Sequence, residues 1–551
     1  MELHGENSFK LKSYQSAAFR IDKMTEPLAG KSVEELAATD GIGQSLSKKI
    51  YQLTTNGTFP ELEELYQKTP SGVLEMMEIK GIGPKKVSLL WKELGLESIG
   101  ELLYACNENR LLALKGFGAK TQEQIIKSIE FKNSTKGQFL FSVAEDAAIL
   151  LEETIKSNHP HRYSVAGELR RKCEIITSLD FIIAPIGHAE ILLKVLSEID
   201  VNVQLTKEPE TKINGYTKEG IPFQLVFCDE QNFTQALWRN TSTVTHIALL
   251  EQKNPELSSL LSSVQSEEEI YTKSGLHYQI PEQREAEHQL LPSTENEKHF
   301  ISIKELKGVL HNHSTWSDGL HTLEEMAVAC KELGFQYFGI CDHSRTAVYA
   351  GGLSIENVLG QHKEIDKLNE QLQPFKILKG IESDILSDGS LDYPDEILSQ
   401  FDFIVASIHS GFKMDEAKAT DRLIKAISNP YTTILGHPTG RLLLSRPGYP
   451  VNHKALLDAC AEFGVVIELN AHPYRLDIDW RWLQYALEKN VMVSINPDAH
   501  SIEGFHVLKN GVNAARKGGL TVDMTFNALN LNDIEEHFRH RKAHLNAGYS
   551  N

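Results

Sequence analysis

The stretch GVLHNHSTWSDG (308–319) sets His311 and His313 two apart at the end of an apolar run and places Asp318 just beyond. Side chains at i and i+2 leave an extended chain on the same face. The two imidazoles therefore point one way, and a short loop can return the aspartate beside them. Similar runs follow at intervals. FGICDH closes on His343, ILKGIE on Glu382, FIVASIH on His409, TILGH on His437, VVIELN on Glu468 and Asn470, and MVSINPDAH on Asp498 and His500. Between most of them lie amphipathic segments such as TLEEMAVACKELG (322–334), PDEILSQ (394–400) and VNHKALLDACAEFG (451–464). Strands alternating with helices predict a parallel β/α architecture, and seven such strands predict a closed (βα)7 barrel over residues 305–551. In barrels of this kind chemistry gathers at the C-terminal ends of the strands.

Nine residues stand at or just after those ends: His311, His313, Asp318, His343, Glu382, His409, His437, Asp498 and His500. One histidine in such a place is ordinarily a satisfied core or surface residue. Nine together are costly to bury unless a cation compensates them, so they are candidate metal ligands. Mixed imidazole and carboxylate donors suit Zn²⁺ or Mn²⁺ better than Mg²⁺. Arg345, Lys413, Arg441 and Arg446 lie near strand ends and are candidates for holding phosphate oxygens. His321, His362, His453 and His472 match no ligand position and read as structural or exposed.

The first third of the chain carries a repeat. TDGIGQSLSKKI (39–50), IKGIGPKKVSLL (79–90) and LKGFGAKTQEQI (114–125) share a Gly-apolar-Gly turn followed by an amphipathic helical pattern. The glycines Gly41, Gly43, Gly81, Gly83, Gly116 and Gly118 permit a tight turn with exposed N–H groups, and the helix that follows adds its positive N-terminal end. Together these make a phosphate cradle. Lysines just beyond, Lys48, Lys49, Lys85, Lys86 and Lys120, are within reach of a neighbouring phosphate. The pattern resembles the helix-hairpin-helix motif, which binds the DNA backbone without reading sequence. The third repeat has a structural reading as well.

From about residue 140 the pattern turns to α/β. YSVAGELRRKCEIITSLDFIIAP (163–185) reads as strand, glycine turn, basic turn and strand, and GIPFQLVFCD (220–229) reads as a further strand. With the repeats upstream, this order resembles the X-family DNA polymerases, in the bacterial form that carries an extra C-terminal domain. The resemblance covers nearly the whole chain and implies a helix-hairpin-helix region over 1–140, a nucleotidyltransferase palm and thumb over 141–290, and the barrel. It also implies Gly-Ser for an incoming triphosphate and three aspartates for two Mg²⁺ ions. Here those places hold Gly167-Glu168, Ser178-Leu179-Asp180 and Gln224, so one acid of three remains, while Arg170 and Arg171 persist. The nucleotide-gating region aligns with Arg239-Asn240. A single carboxylate is a poor host for two hard cations, and nucleotidyl transfer is expected to be absent or very slow. The opposite expectation, an active polymerase, needs other acids such as Glu174 or Asp229.

HxH, SDG, DHS, the Glu after Lys-Gly, SIHSGF, GHPTGR and NPDAH stand in the order of the PHP (polymerase and histidinol phosphatase) domain, with Val309 where that family often has an acid. This resemblance implies three divalent metals, with Glu382 bridging two and Asp498 binding another. It further implies a 3′→5′ exonuclease acting on gapped, nicked or single-stranded 3′ ends in base-excision or gap repair, by trimming 3′ ends or cutting at abasic sites. A small-molecule phosphatase is an alternative, since related barrels hydrolyse phosphomonoesters, but it leaves the glycine repeats without a role.

Bulk properties agree. A chain of 551 residues exceeds one ordinary core. Its net charge of −19 divides as zero over 1–140, −11 over 141–300 and −8 over 301–551, so no region is strongly basic and the middle third has the wrong sign for gripping template. Fourteen of the 22 histidines lie in 301–551. Six cysteines without a CxxC suggest reduced thiols rather than disulfides. The start is polar, with no signal-peptide pattern, and no apolar run reaches the roughly eighteen residues of a membrane span. A cytoplasmic monomer is expected, joined through the polar, turn-rich segment 287–304 to its barrel.

Overall fold

The computed structural model describes residues 1–548 except 23, 25–26, 40, 108–109, 159–161, 187–188, 199–200, 205–210, 286–289 and 291–298. Most of the expected linker 287–304 thus lies outside the described residues. The chain forms two compact units, Met1–Lys136 and Gly137–Asn551.

The smaller unit is helical. In all three repeats the first glycine takes a positive φ, +80° at Gly41, +97° at Gly81 and +92° at Gly116, which side chains rarely adopt. The apolar residue between the glycines is buried each time, as Ile42, Ile82 and Phe117, and pins the turn to the core. The second glycine caps the next helix in extended backbone. Gly43 precedes Gln44–Asn56, Gly83 precedes Pro84–Leu94 and Gly118 precedes Ala119–Ser134, none with a side-chain cap. The first N–H groups of these helices are therefore open to a ligand. Lys85 is exposed beside the second turn. Lys49 is not available in the same way, because its Nζ bonds Glu61 and Tyr14.

The larger unit begins with a five-stranded sheet in the order Arg162–Val165, Leu179–Ala184, Pro222–Phe227, Lys212–Tyr216, Asn202–Gln204. Its two central strands run parallel and place Asp180 directly beside Gln224. The helix Phe141–Asn158 buries Ala144, Ala148, Leu151 and Ile155 in the same core as Phe181 and Leu225.

Seven parallel strands follow: β1 (Gly308–Val309), β2 (Tyr337–Ile340), β3 (Lys376–Asp384), β4 (Phe403–Ser407), β5 (Ile434–Leu435), β6 (Val466–Asn470) and β7 (Val493–Asn496). A parallel bridge from Asn312 to Ala499 joins the chain beyond β1 to the chain beyond β7. Strands buried on both faces read as apolar runs, and the two faces serve different cores. Phe338, Ile340, Ile377, Ile404 and Ile467 pack under the helices. Tyr337, Leu378, Phe403, Val405 and Val466 form an inner cluster with Phe526, Ile534 and Phe538 from the C-terminal segments. Phe403 stacks on Phe538 at 5.4 Å, and a Cβ at Gly339 or Gly380 would come within 2.6 or 2.4 Å of the Phe403 ring. Two residues beyond Gly380 and Val466 along their strands stand Glu382 and Glu468. The barrel interior thus passes from a packed aromatic floor to a polar rim.

The barrel and the five-stranded sheet share a charged joint. Lys517 ends the helix Leu508–Lys517 and is 1% exposed in its side chain. Its Nζ lies 2.5 Å from Glu285 Oε1 and 3.2 Å from the Arg171 carbonyl, and Arg171 Nε donates to the same Glu285 oxygen at 2.9 Å. Arg481 Nη1 and Trp480 Nε1 donate to Glu174 at 2.8 and 3.1 Å. Burial pushes the Glu285 carboxyl up, but Lys517 and Arg171 outweigh it and hold it down at about 2. Glu285→Gln should destabilise the larger unit at pH 7 by about 3–5 kcal/mol, the cost of a buried cation losing its partner. A carboxyl with a depressed folded pKa lends stability above its unfolded value near 4.5 and loses it as pH falls toward 2. The gap in denaturant midpoint between wild type and variant should narrow across that window.

Candidate metal centre

The structure brings all nine candidate ligands together at the C-terminal mouth of the barrel. Their donor atoms form four overlapping groups, each within 4.8 Å: His313, Asp318, His343 and His500; His311, His313 and Glu382; His311, His437 and Asp498; and His343, Glu382 and His409. Glu382 is central and 1% exposed. Its Oε1 lies 3.0 Å from His437 Nε2, 3.1 Å from His409 Nε2 and 3.3 Å from His311 Nε2. Its Oε2 lies 3.0 Å from His343 Nδ1 and 3.7 Å from His313 Nε2. It sits within β3, pointing inward, rather than past the strand end.

Local structure explains how each element delivers its ligand. Asp318 returns beside the histidines because the loop after β1 doubles back on itself. A Cβ at Gly319 would come within 2.7 Å of the Ser314 backbone, so only glycine fits this approach. Buried Asp342 holds that loop by accepting from Ser314 N, Ser314 Oγ, Ser317 Oγ and Gln361 Nε2 at 2.5–2.8 Å. Asp498 stands at φ +53°, strained for a side-chain-bearing residue, and is fixed by Asn470 Nδ2 at 3.0 Å.

Two further carboxylates aim the imidazoles. Glu468 accepts from His311 Nδ1 at 2.6 Å, from Asn496 Nδ2 at 2.9 Å and from the His437 backbone N–H at 2.7 Å. Asp384 pairs with His409 Nδ1 at 2.5 Å and accepts from Thr346 Oγ1 at 2.7 Å. In each case the outer nitrogen is taken and Nε2 is turned toward Glu382, the arrangement that orients metal-binding histidines. Burial, then His500 and His343, hold the His313 ring down at about 3. It is neutral at pH 7 and offers a lone pair.

The donor set fits divalent cations. His311 Nε2, His313 Nδ1, His343 Nδ1, His437 Nδ1 and Glu382 Oε2 are buried without a hydrogen-bond partner. Leaving such atoms bare costs about 1–3 kcal/mol each. His343 Nδ1 and Glu382 Oε2 face one another at 3.0 Å without hydrogen-bond geometry. Ring nitrogens and carboxylate oxygens gathered at such separations are satisfied together by shared cations.

The four candidate phosphate-holding residues separate. Lys413 and Arg345 are exposed, and Arg345 Nη2 donates to the Asp392 carbonyl at 2.6 Å. Arg441 is committed elsewhere: it donates to the Arg475 carbonyl at 2.8 Å and to Asp479 and the Leu476 carbonyl, bracing the loop after β6. Arg446 holds the Gly440 carbonyl. Arg475, absent from the sequence reading, lies 3.7 Å from Asp498 Oδ2. Of the remaining histidines, His362 is buried against Phe401 and His453 stacks on Trp482 at 4.6 Å.

In the five-stranded sheet the candidate polymerase positions meet as expected from their order. Gly167 at φ +60° packs against Asp180, where a Cβ would lie 2.2 Å from Oδ2. Ser178 Oγ donates to Asp180 Oδ1 at 3.0 Å. The Glu168 carboxylate accepts from Thr177 N and Oγ1 at 2.6 and 2.9 Å. Burial raises the Asp180 pKa. Arg170 is bound bidentately by Glu267 and Arg171 by Glu285. Of the two substitute acids considered for an active polymerase, Glu174 is turned to Arg481 and Trp480, while Asp229 is exposed.

Comparison with known proteins adds to this geometry. The PHP domain family matches residues 310–472, and the SAM-like helix-hairpin-helix tandem family matches residues 73–130, which spans the second and third repeats. The chain is 34% identical over 560 aligned residues to the Bacillus subtilis (strain 168) DNA polymerase/3′-5′ exonuclease PolX, covering 97% of this chain and 96% of that protein. It is 28% identical to a probable phosphatase of Thermoanaerobacter sp. (strain X514), over 43% of this chain and 97% of that protein. A probable phosphatase of Caldanaerobacter subterraneus subsp. tengcongensis is 34% identical over 29% of this chain and 60% of its own length. Among the described residues no helix is long and apolar enough to cross a membrane.

Glu468→Gln should weaken divalent-metal binding by about 10–100-fold, measured by chelator competition, with an unchanged circular-dichroism spectrum.

Proposed function

The chain belongs to the PolX family of X-family DNA polymerases with a C-terminal PHP domain, and we propose that its working centre is the barrel, as a metal-dependent phosphodiesterase trimming DNA from the 3′ end. The observation that carries this reading is the group of buried, unpartnered imidazole and carboxylate atoms around Glu382, in a chain whose helix-hairpin-helix turns leave helix N-termini open to a DNA backbone. The Bacillus subtilis relative is named for both a polymerase and a 3′-5′ exonuclease. The substrates proposed are single-stranded, gapped or nicked 3′ ends.

His311, His313, Asp318, His343, Glu382, His409, His437, Asp498 and His500 would hold three divalent metals, Zn²⁺ or Mn²⁺ or both. Bound there, such ions supply the Lewis acidity that activates water and neutralises a phosphodiester. Glu468 and Asp384 keep the imidazoles aimed inward, and the neutral His313 ring contributes a lone pair. Arg475, beside Asp498, and the exposed Arg345 and Lys413 would serve as cations for phosphate oxygens. Gly41, Gly43, Gly81, Gly83, Gly116, Gly118 and Lys85 would hold the strand by its backbone.

We read the polymerase site as inactive. Asp180 has Gln224 as its neighbour across the parallel pair, a serine hydroxyl on one oxygen and a raised pKa, all unfavourable to paired Mg²⁺. The arginines beside it are neutralised by Glu267 and Glu285. A second reading, a phosphomonoesterase, is favoured by the relatives that match the barrel alone.

Labelled single-stranded and gapped duplex DNA, digested with Mn²⁺, separates these. The His311→Ala plus His313→Ala variant should lose activity by orders of magnitude, and equal activity would remove the barrel from the reaction. Faster release of phosphate from a nucleoside monophosphate than of nucleotides from the oligomer would favour the phosphatase. Primer extension should be undetectable, whereas incorporation abolished by Asp180→Ala would restore the polymerase.

A further inference from the structure

The mouth of the barrel presents aromatic surface that metal binding does not require. Val348 and Tyr349 are 81% and 72% exposed on the short turn that follows His343, and the Tyr349 ring lies 6.1 Å from the His343 ring. The turn springs directly from the ligand strand, since the Ser344 N–H donates to the Glu382 carbonyl at 3.0 Å. After β6, Tyr474 is 48% exposed, and its ring lies 5.7 Å from His472 at an interplanar angle of 24°. The His472 N–H donates to Asn470 Oδ1 at 3.0 Å, and Asn470 Nδ2 donates to Asp498 Oδ2 at 3.0 Å, so this ring too stands near the ligands. Arg475 links the two sides. It follows Tyr474 in the chain and leans on Asp498 Oδ2 at 3.7 Å, and Asp498 in turn pairs with His313, whose ring lies 4.5 Å from that of His343.

Large exposed rings beside a cation-binding cleft call for an apolar, planar, anion-bearing ligand. A nucleic-acid strand has that chemistry: when its terminal phosphodiester reaches Glu382, its bases lie at the rim. Every base has a π face, so aromatic platforms hold single strands with little regard for sequence. Arg475 is a ready phosphate partner, because among the described residues its one carboxylate contact is long and Asp498 is already held by Asn470 and His313.

We propose that Tyr349 and Tyr474 stack the terminal bases of a single DNA strand and that Arg475 takes the adjoining phosphate, so that the barrel selects unpaired, base-bearing ends. The proposal rests on the phosphodiesterase reading and specifies its substrate.

The test compares the full chain on two strands of equal length. One is oligothymidylate; the other carries base-free tetrahydrofuran residues at its last two 3′ positions. Stacking predicts that wild type degrades the base-bearing end about tenfold faster, that Tyr349→Ala plus Tyr474→Ala brings the ratio near one, and that the corresponding Phe pair keeps it. A readout without turnover uses 2-aminopurine deoxynucleoside monophosphate with wild type in EDTA, where a stacked base is quenched. A wild-type ratio near one, or no quenching, overturns the stacking proposal and leaves the phosphodiesterase reading intact. Failure to hydrolyse either strand, or bis-p-nitrophenyl phosphate, overturns that reading and the proposal with it.

Discussion

Glu382 is a buried carboxylate faced by five imidazoles, and the upper half of the barrel is organised around that one juxtaposition. Five ring nitrogens stand 3.0–3.7 Å from its two oxygens. Burial alone would drive the acid to protonate, yet His409, His311 and His343 keep it well below the usual carboxylate range. Several of the surrounding lone pairs have no donor. Such a cluster collapses or fills with water unless its parts are held from behind and cations sit between them. The holding is visible in the two outer carboxylates, the Asp342 knot beneath the Ser314 loop and the left-handed backbone at Asp498. Each costs something locally, and each is offset by the rigidity of a strand whose other residues are packed.

That rigidity comes from the inner face of the strands. The sequence of inward residues on β3 runs Leu378, Gly380, Glu382, and on β6 it runs Val466, Glu468, Asn470. The lower members bury apolar area around Phe403 and the upper ones carry polar groups. Because alternation is fixed by the pleat, a one-residue slip would send Glu382 into the helix-covered core and an isoleucine into the site. The aromatic floor is therefore what keeps the ligands in register.

The barrel and the gathering of its nine candidate ligands were legible because short apolar runs ending in His, Asp or Glu recur along the chain, and strand ends are where barrels expose polar groups. The residues that were not legible share a physical reason. Glu468, Asp384 and Asp342 bind a ligand's other nitrogen or a neighbouring loop across 157, 25 and 28 residues, and nothing local marks an acid as a supporter of a distant histidine. Glu468 gave the strongest hint, ending a strand as the ligands do. The cations were harder. Arg441 and Arg475 both follow strand ends, yet Arg441 is spent on carbonyls and Asp479 while Arg475 reaches the ligands. Lys49 likewise looked free for phosphate until Glu61, twelve residues on, was found against it. The glycine turns were readable because their geometry admits few alternatives, whereas the destination of a long flexible cation is decided by tertiary packing.

The same packing explains how the five-stranded sheet is joined to the barrel. Lys517 is nearly without solvent, and its charge is tolerable only because Glu285 and the Arg171 carbonyl stand against it. Arg171 is in turn shared with Glu285, and Trp480 finds its indole acceptor in Glu174. Acids and arginines that resemble a catalytic apparatus in sequence are here the hydrogen-bonding half of a joint.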